Sequence, residues 1–373
     1  MKKNKIRSKI LIVVSLLITV IMIGIIFIDK KEKITYSKTY GGKIEENIID
    51  DIYISEDNYI GDMEEIVEPY LEENMEDGYF EGEKSSSIYY KKYVVEDAKG
   101  AIAISHGFSE SLEKYNEIIY YFIKKGYSVF AMEHRGHGLS VNLGKEDKTQ
   151  IDVEDFDYYV EDFKTFLDEI VMKEKGEEEL FLFAHSMGGA IGTLFLERYP
   201  NYFDAAVLSS PMLEINTGST PAPIAKLIAN LYDIIGKGDK YVLGQEPFSG
   251  EYEFEESGTT SKNRYDYSYN KTKNDERYQK GGASFRWLKE SFDATKEALK
   301  KENASKIETP ILLFQADNDT FVKPNGQAIL ANEVKNCDVV FLKGSKHDLY
   351  RHSDDFLRDY LNNIFKFYEN NDK

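Results

Sequence analysis

Ser186 lies in Ala184-His185-Ser186-Met187-Gly188-Gly189, directly after the apolar run Leu180-Phe181-Leu182-Phe183. A serine on a sharp strand-to-helix turn is held clear of its own backbone, so its hydroxyl stands where a base can reach it. The positions two before and two after must be small, because the tight turn presses them against neighbouring elements. Here they are Ala184 and Gly188; glycine is usual at the first, so Ala184 departs by one methyl. A serine hydroxyl is a weak nucleophile until an imidazole takes its proton and a carboxylate orients that imidazole. In this arrangement the acid and the histidine follow the serine in that order, each on a loop after a later strand. After the apolar run at 311–314 come Asp317 and Asp319; after the run at 339–342 come His347 and His352.

An acyl-transfer site also needs donors for the oxyanion. The helix following Ser186 points its N-terminus at the hydroxyl and offers the Met187 N–H. A second donor belongs on the loop after the strand ending at Ile104, which reads Ser105-His106-Gly107-Phe108. The His-Gly pair lets the chain turn tightly, so that the Phe108 N–H faces the serine. The block Glu133-His134-Arg135-Gly136-His137-Gly138-Leu139-Ser140 follows the next strand and is expected to buttress the floor of the site.

The elements that must position these residues alternate. Unbroken apolar runs at 101–104, 127–132, 180–183 and 205–208 read as strands buried on both faces. Helical patterns lie between them at 111–125, 156–171 and 190–199, the first stopped by Gly126. Residues 88–95 read as an edge strand. This is the signature of an α/β fold with a doubly wound, mostly parallel sheet. The alternation stops near Pro211 and resumes at Pro310. Two amphipathic stretches, 224–235 and 287–300, flank a polar, Tyr-rich segment at 259–278, which is expected to be surface packing. Residues 213–303 are therefore expected to form a cap inserted above Ser186, on a core made of 61–212 and 304–373. A terminal helix is expected over 356–368.

The 373 residues carry a net charge of −19 and no basic stripe beyond the N-terminus, which argues against nucleic acid as a partner. The single cysteine, Cys337, excludes an internal disulfide framework and cysteine-rich metal sites. The Asp317-Asn318-Asp319 run lacks the glycine and glutamate of a calcium loop. His106, His134 and His137 read as packed loop histidines, so no metal and no cofactor are expected. At the N-terminus, Lys2, Lys3, Lys5, Arg7 and Lys9 precede an uncharged apolar run over 10–28. At ~1.5 Å per residue a helix of that run matches a bilayer core. It is long for a signal peptide and lacks a small-residue cleavage site. The expectation is a basic cytoplasmic tail at 1–9, a single transmembrane anchor at 10–28, a linker at 29–60, and a catalytic body outside the membrane. Residues 1–33 carry +6, leaving −25 on the body, so the tether and not surface charge must hold it at anionic lipid.

Several pieces together resemble the lysophospholipase and monoacylglycerol lipase group of α/β-hydrolases, also described as serine aminopeptidase-like. They are His106-Gly107-Phe108, Arg135-Gly136-His137-Gly138-Leu139-Ser140, His185-Ser186-Met187-Gly188-Gly189, Asp319-x-x-Val322 and Gly344-x-x-His347. Gly281-Gly282-Ala283-Ser284-Phe285-Arg286-Trp287-Leu288 resembles the stretch leading out of the cap in bacterial lysophospholipase L2-type members. The resemblance implies Ser186 as nucleophile, Asp319 as the acid in preference to Asp317, and His347 as base in preference to His352. It also implies Phe108 and Met187 as oxyanion donors and a lipid ester as substrate. His352 is then expected to cap the terminal helix or face solvent. Two activities of the same fold stay open: an amidase of the aminopeptidase type, for which Glu251, Glu253, Glu255 and Glu256 could grip an amine, and an acyltransferase. A silent binding module is the rival of a different class.

Overall fold

The computed structural model describes residues 48–372. The expected anchor at 10–28 lies outside them; among the described residues no helix is long and apolar enough to cross a membrane. Eight strands form one sheet: β1 (Glu76–Gly82), β2 (Ser86–Tyr93), β3 (Gly100–Ser105), β4 (Tyr127–Met132), β5 (Leu180–His185), β6 (Ala205–Ser209), β7 (Ile311–Ala316) and β8 (Cys337–Leu342). Their order is β1-β2-β4-β3-β5-β6-β7-β8. The β1–β2 and β2–β4 pairs are antiparallel and the rest parallel.

Helices α1 (Asn116–Lys124), α2 (Asp157–Phe166) and α3 (Met187–Arg198) make the crossovers in the first half. Gly126, at φ 89°, ends the turn after α1 in the left-handed region that glycine adopts at least cost. The insertion between β6 and β7 holds α4 (Ala222–Ile234), α5 (Lys262–Asn274) and α6 (Phe285–Ala298); α7 (Pro324–Glu333) and α8 (Asp354–Glu369) complete the fold. Alternating side chains of the parallel strands feed two apolar layers. Leu182 and Leu208 pack against α2 and α3 residues such as Phe163 and Leu194. Phe183 and Ile104 pack on the other face against Phe122 of α1 and Phe365 of α8.

Three expectations need correction. The linker expected over 29–60 enters the described chain at 48, and from there it is packed: Ile49, Ile54 and Tyr59 are buried in the α1–α8 layer, followed by Met63, Val67 and Leu71 from helical turns. Its acidic residues hide these anchors because each is spaced by charge rather than set in a stripe. The Tyr-rich polar segment contains α5, with Arg264 and Tyr267 buried, so it is more than surface packing. His352 neither caps a helix with its side chain nor faces solvent: it is fully buried, and its Nε2 accepts the Lys346 N–H at 2.7 Å.

Candidate active site

Ser186 sits between β5 and α3 at φ 53° and ψ −116°, a conformation that costs a non-glycine residue energy and persists where neighbours over-determine it. They do so here. The Ser186 N–H donates to Ser209 O at 3.0 Å, and its carbonyl accepts from Gly189 at 2.9 Å and Met212 at 2.8 Å. Gly188 is fixed by close approach, since a Cβ there would stand 2.1 Å from Ser105 O. The methyl of Ala184 is accommodated by Gly192, whose added Cβ would lie 3.3 Å from it.

His347 and Asp319 arrive from the loops after β8 and β7. His347 Nε2 is 2.8 Å from Ser186 Oγ, and its Nδ1 is 2.6 Å from Asp319 Oδ2. The spacing Asp319-x-x-Val322 has a reason: Asp319 Oδ1 accepts the N–H groups of Phe321 and Val322 at 2.8 and 3.0 Å, which frees Oδ2 for the imidazole. Asp317 is turned elsewhere, accepting the Gly344 N–H at 3.0 Å and so tying the β7 loop to the β8 loop. Ser210 Oγ donates to the His347 carbonyl at 3.0 Å. Burial works against a charged imidazole, but the bond and charge of Asp319, with Asp348 and Glu110 behind, outweigh it and raise His347 above its ordinary range.

The loop after β3 abuts the serine: a Cβ on Gly107 would lie 3.1 Å from Ser186 Cβ. Phe108 is the next residue along. Met187 occupies the first position of α3, where a backbone N–H has no intrahelical acceptor. The loop is shaped by Glu110, which accepts the Gly107 N–H at 2.6 Å and the hydroxyls of Tyr115 at 2.6 Å and Tyr350 at 2.9 Å. Below it, Glu133 accepts the N–H groups of Leu112, at 3.0 Å, and Leu139. Arg135 forks onto Asp162 at 2.7 and 2.8 Å. The rings of His106, His134 and His137 pack on one another, with His106 centred 4.5 and 5.2 Å from the other two.

A buried group that the sequence does not mark lies directly against His347. The His185 ring lies 4.8 Å from that of His347, with its Nε2 3.7 Å from Asp348 and 3.9 Å from Glu110. Burial disfavours the Asp348 carboxylate, yet His185 and Arg351 hold it well below the usual carboxylate range. The only signal in the sequence was the polar neighbours His185 and Asp348 beside Ser186 and His347. Among the described residues, His185, His347 and Asp348 have donors spaced as a metal ion would need. Both His347 nitrogens already serve Ser186 and Asp319, so the group fits a hydrogen-bonded site better than a metal centre.

A hydrolase family model described as "Serine aminopeptidase, S33" matches residues 96–354. The chain belongs to that family. It is an enzyme, a serine hydrolase of the lysophospholipase and monoacylglycerol lipase group of α/β-hydrolases. It is 30% identical over 244 residues to lysophospholipase L2 of Escherichia coli, covering 65% of this chain and 70% of that protein. It is 27% identical over 292 residues to a Haemophilus influenzae protein named "Probable lysophospholipase L2", covering 78% and 90%. A solved structure of a soluble variant of monoglyceride lipase from Saccharomyces cerevisiae, bound to a substrate analogue, aligns with TM-score 0.62. At 17% identity, over 80% of this chain and 96% of that one, the likeness speaks for the fold.

Proposed function

We propose that this enzyme hydrolyses carboxylic esters of lipids, a lysophospholipid or a monoacylglycerol, with Ser186 as nucleophile, His347 as general base and Asp319 as its orienting acid. The observation that carries the reading is the continuous chain Ser186 Oγ, His347, Asp319 with bonds of 2.8 and 2.6 Å. His347 takes the serine proton as Ser186 attacks the ester carbonyl, and the N–H groups of Phe108 and Met187 receive the oxyanion. His347 then protonates the leaving alcohol. Water, deprotonated by His347, attacks the acyl-enzyme, and His347 returns that proton to Ser186 Oγ as the fatty acid leaves. The names of the relatives favour a lipid ester over an amide, and the carboxylates of Glu251, Glu253, Glu255 and Glu256 lie on exposed residues.

Residues 10–28 serve in this reading as an uncleaved single-pass anchor with the body outside the membrane. The basic flank and the length of the apolar run support it. A reporter that works only in the cytoplasm, fused after Lys373, is expected to be silent; a working one overturns the orientation. For the chemistry, a fluorophosphonate probe should label the protein and fail to label Ser186→Ala. Turnover of lysophosphatidylcholine and monoacylglycerol should exceed that of aminoacyl anilides. Preferential anilide cleavage would replace the ester reading with an amidase.

A further inference from the structure

Trp287 stands in the first turn of α6, where Ser284 Oγ accepts its backbone N–H at 2.9 Å and fixes the start of the helix. Its indole reaches the loop after β3. It packs at a 48° tilt against the ring of Phe108, centroid to centroid 4.3 Å. Trp287 Nε1, Tyr159 Oη and His134 Nδ1 are all buried and without a partner at hydrogen-bond distance. The Tyr159 ring meets that of His134 edge-on, centroid to centroid 5.8 Å. His134 Nε2 lies 3.0 Å from Ser105 Oγ, which donates to Gly188 O at 3.3 Å.

That last bond fixes the tautomer by network logic. Ser105 gives its proton to Gly188, so it accepts from His134 Nε2–H, which leaves Nδ1 as an acceptor. Burial, then the neighbouring His106 and His137, hold His134 well below its ordinary range, so the ring is neutral at pH 7. One indole of the insertion thus packs directly on the Phe108 ring.

We propose that Trp287 is a positioning residue that couples the seating of α6 to the shape of the oxyanion site. With α6 seated, the indole holds Phe108 so that its N–H faces Ser186; with α6 displaced, that support is withdrawn. The inference rests on the assignment of Phe108 and Met187 as donors. Trp287 touches no reacting atom. Donor placement is strict, at about 2.7–3.1 Å from the oxyanion, and a misplacement of about 1 Å costs on the order of 100-fold in rate.

The test uses p-nitrophenyl acetate, whose acyl group is too short to extend into the insertion, and a methyl trifluoromethyl ketone, which forms a tetrahedral oxyanion adduct with an active serine. Trp287→Ala should lower kcat on the acetate by about 10-fold or more with KM little changed. The ketone inhibition constant should rise by the same factor as kcat/KM falls. Trp287→Phe keeps a ring on Phe108 and should recover most of kcat. If Trp287→Ala does not fold, Phe108→Ala removes the same contact from the other side, keeps the backbone N–H, and should give the same pattern. Unchanged kcat on the acetate with a raised KM for a long-chain ester would overturn the proposal, because Trp287 would then merely line the acyl path. Failure of the wild-type enzyme to form the ketone adduct would count against the underlying site assignment as well, and is thereby told apart.

Discussion

The two halves of the insertion are held in opposite ways. α5 is pinned by a buried cation: Arg264 is 1% exposed and bonds Glu117 and the carbonyls of His352 and Ile54, all at 2.9 Å, and Asp354 at 3.0 Å. The same half reaches the loop of the base, where the Asp348 N–H donates to Gly258 O at 2.7 Å and Lys346 Nζ to Glu255 O at 2.9 Å. α4 is held by packing. Ala225 and Ala229 are its buried residues, and Tyr232 stacks on Phe285 of α6 at 3.9 Å. Leu227, Leu231, Ile234 and Ile235 face outward, the last two at 79% and 62% exposure. A buried guanidinium is tolerated only when its donors are satisfied, so α5 has one permitted pose. α4 carries few such constraints. α5 is therefore fixed by buried polar bonds, and α4 by apolar packing and the exposed Lys226–Asp293 pair.

The largest effect tests whether chemistry depends on the site rather than on the insertion. Asp319→Asn should cut kcat by about 10,000-fold while the melting temperature stays put, since it disturbs the His347 tautomer and little else. A comparable loss from changes in α4 would break the division. Next comes the pinned half: Arg264→Ala should destabilise the fold by about 3–5 kcal/mol in urea titration, because it strands Glu117 and Asp354. A shift no larger than that of a surface substitution would show that α5 is not pinned. The free half should give the smallest response. Leu231→Ser with Ile234→Ser should leave stability within about 0.5 kcal/mol per site, as exposed positions do. Between these lies the pH dependence. Asp319 raises His347, and the base works only when neutral, so kcat/KM should fall as pH drops through a value above 6.5. Asp319→Asn should move that limb downward.

The grouping of Ser186, His347 and Asp319 was legible because these residues are forced by local geometry. Gly188 must be glycine against Ser105 O, and Asp319 must precede Val322 by three so that two backbone amides hold one oxygen. The apolar strand runs were legible for the same reason, being buried on both faces. The lead-in at 48–74 was not, since Ile54 and Tyr59 are isolated anchors in an acidic stretch. α5 escaped because its docking residue is Arg264, which a hydropathy pattern scores as solvent-facing. The roles of His185, Asp348 and Glu110 were equally hidden: long-range hydrogen bonding selects them, and no periodicity marks that.

In the proposed reaction Ser186, activated by His347, cleaves a lipid ester. Monoacylglycerol hydrolysis by purified Ser186→Ala, compared with wild type at matched folding, tests it most directly. The account predicts a loss of about 10,000-fold or more. Turnover within tenfold of wild type would contradict it.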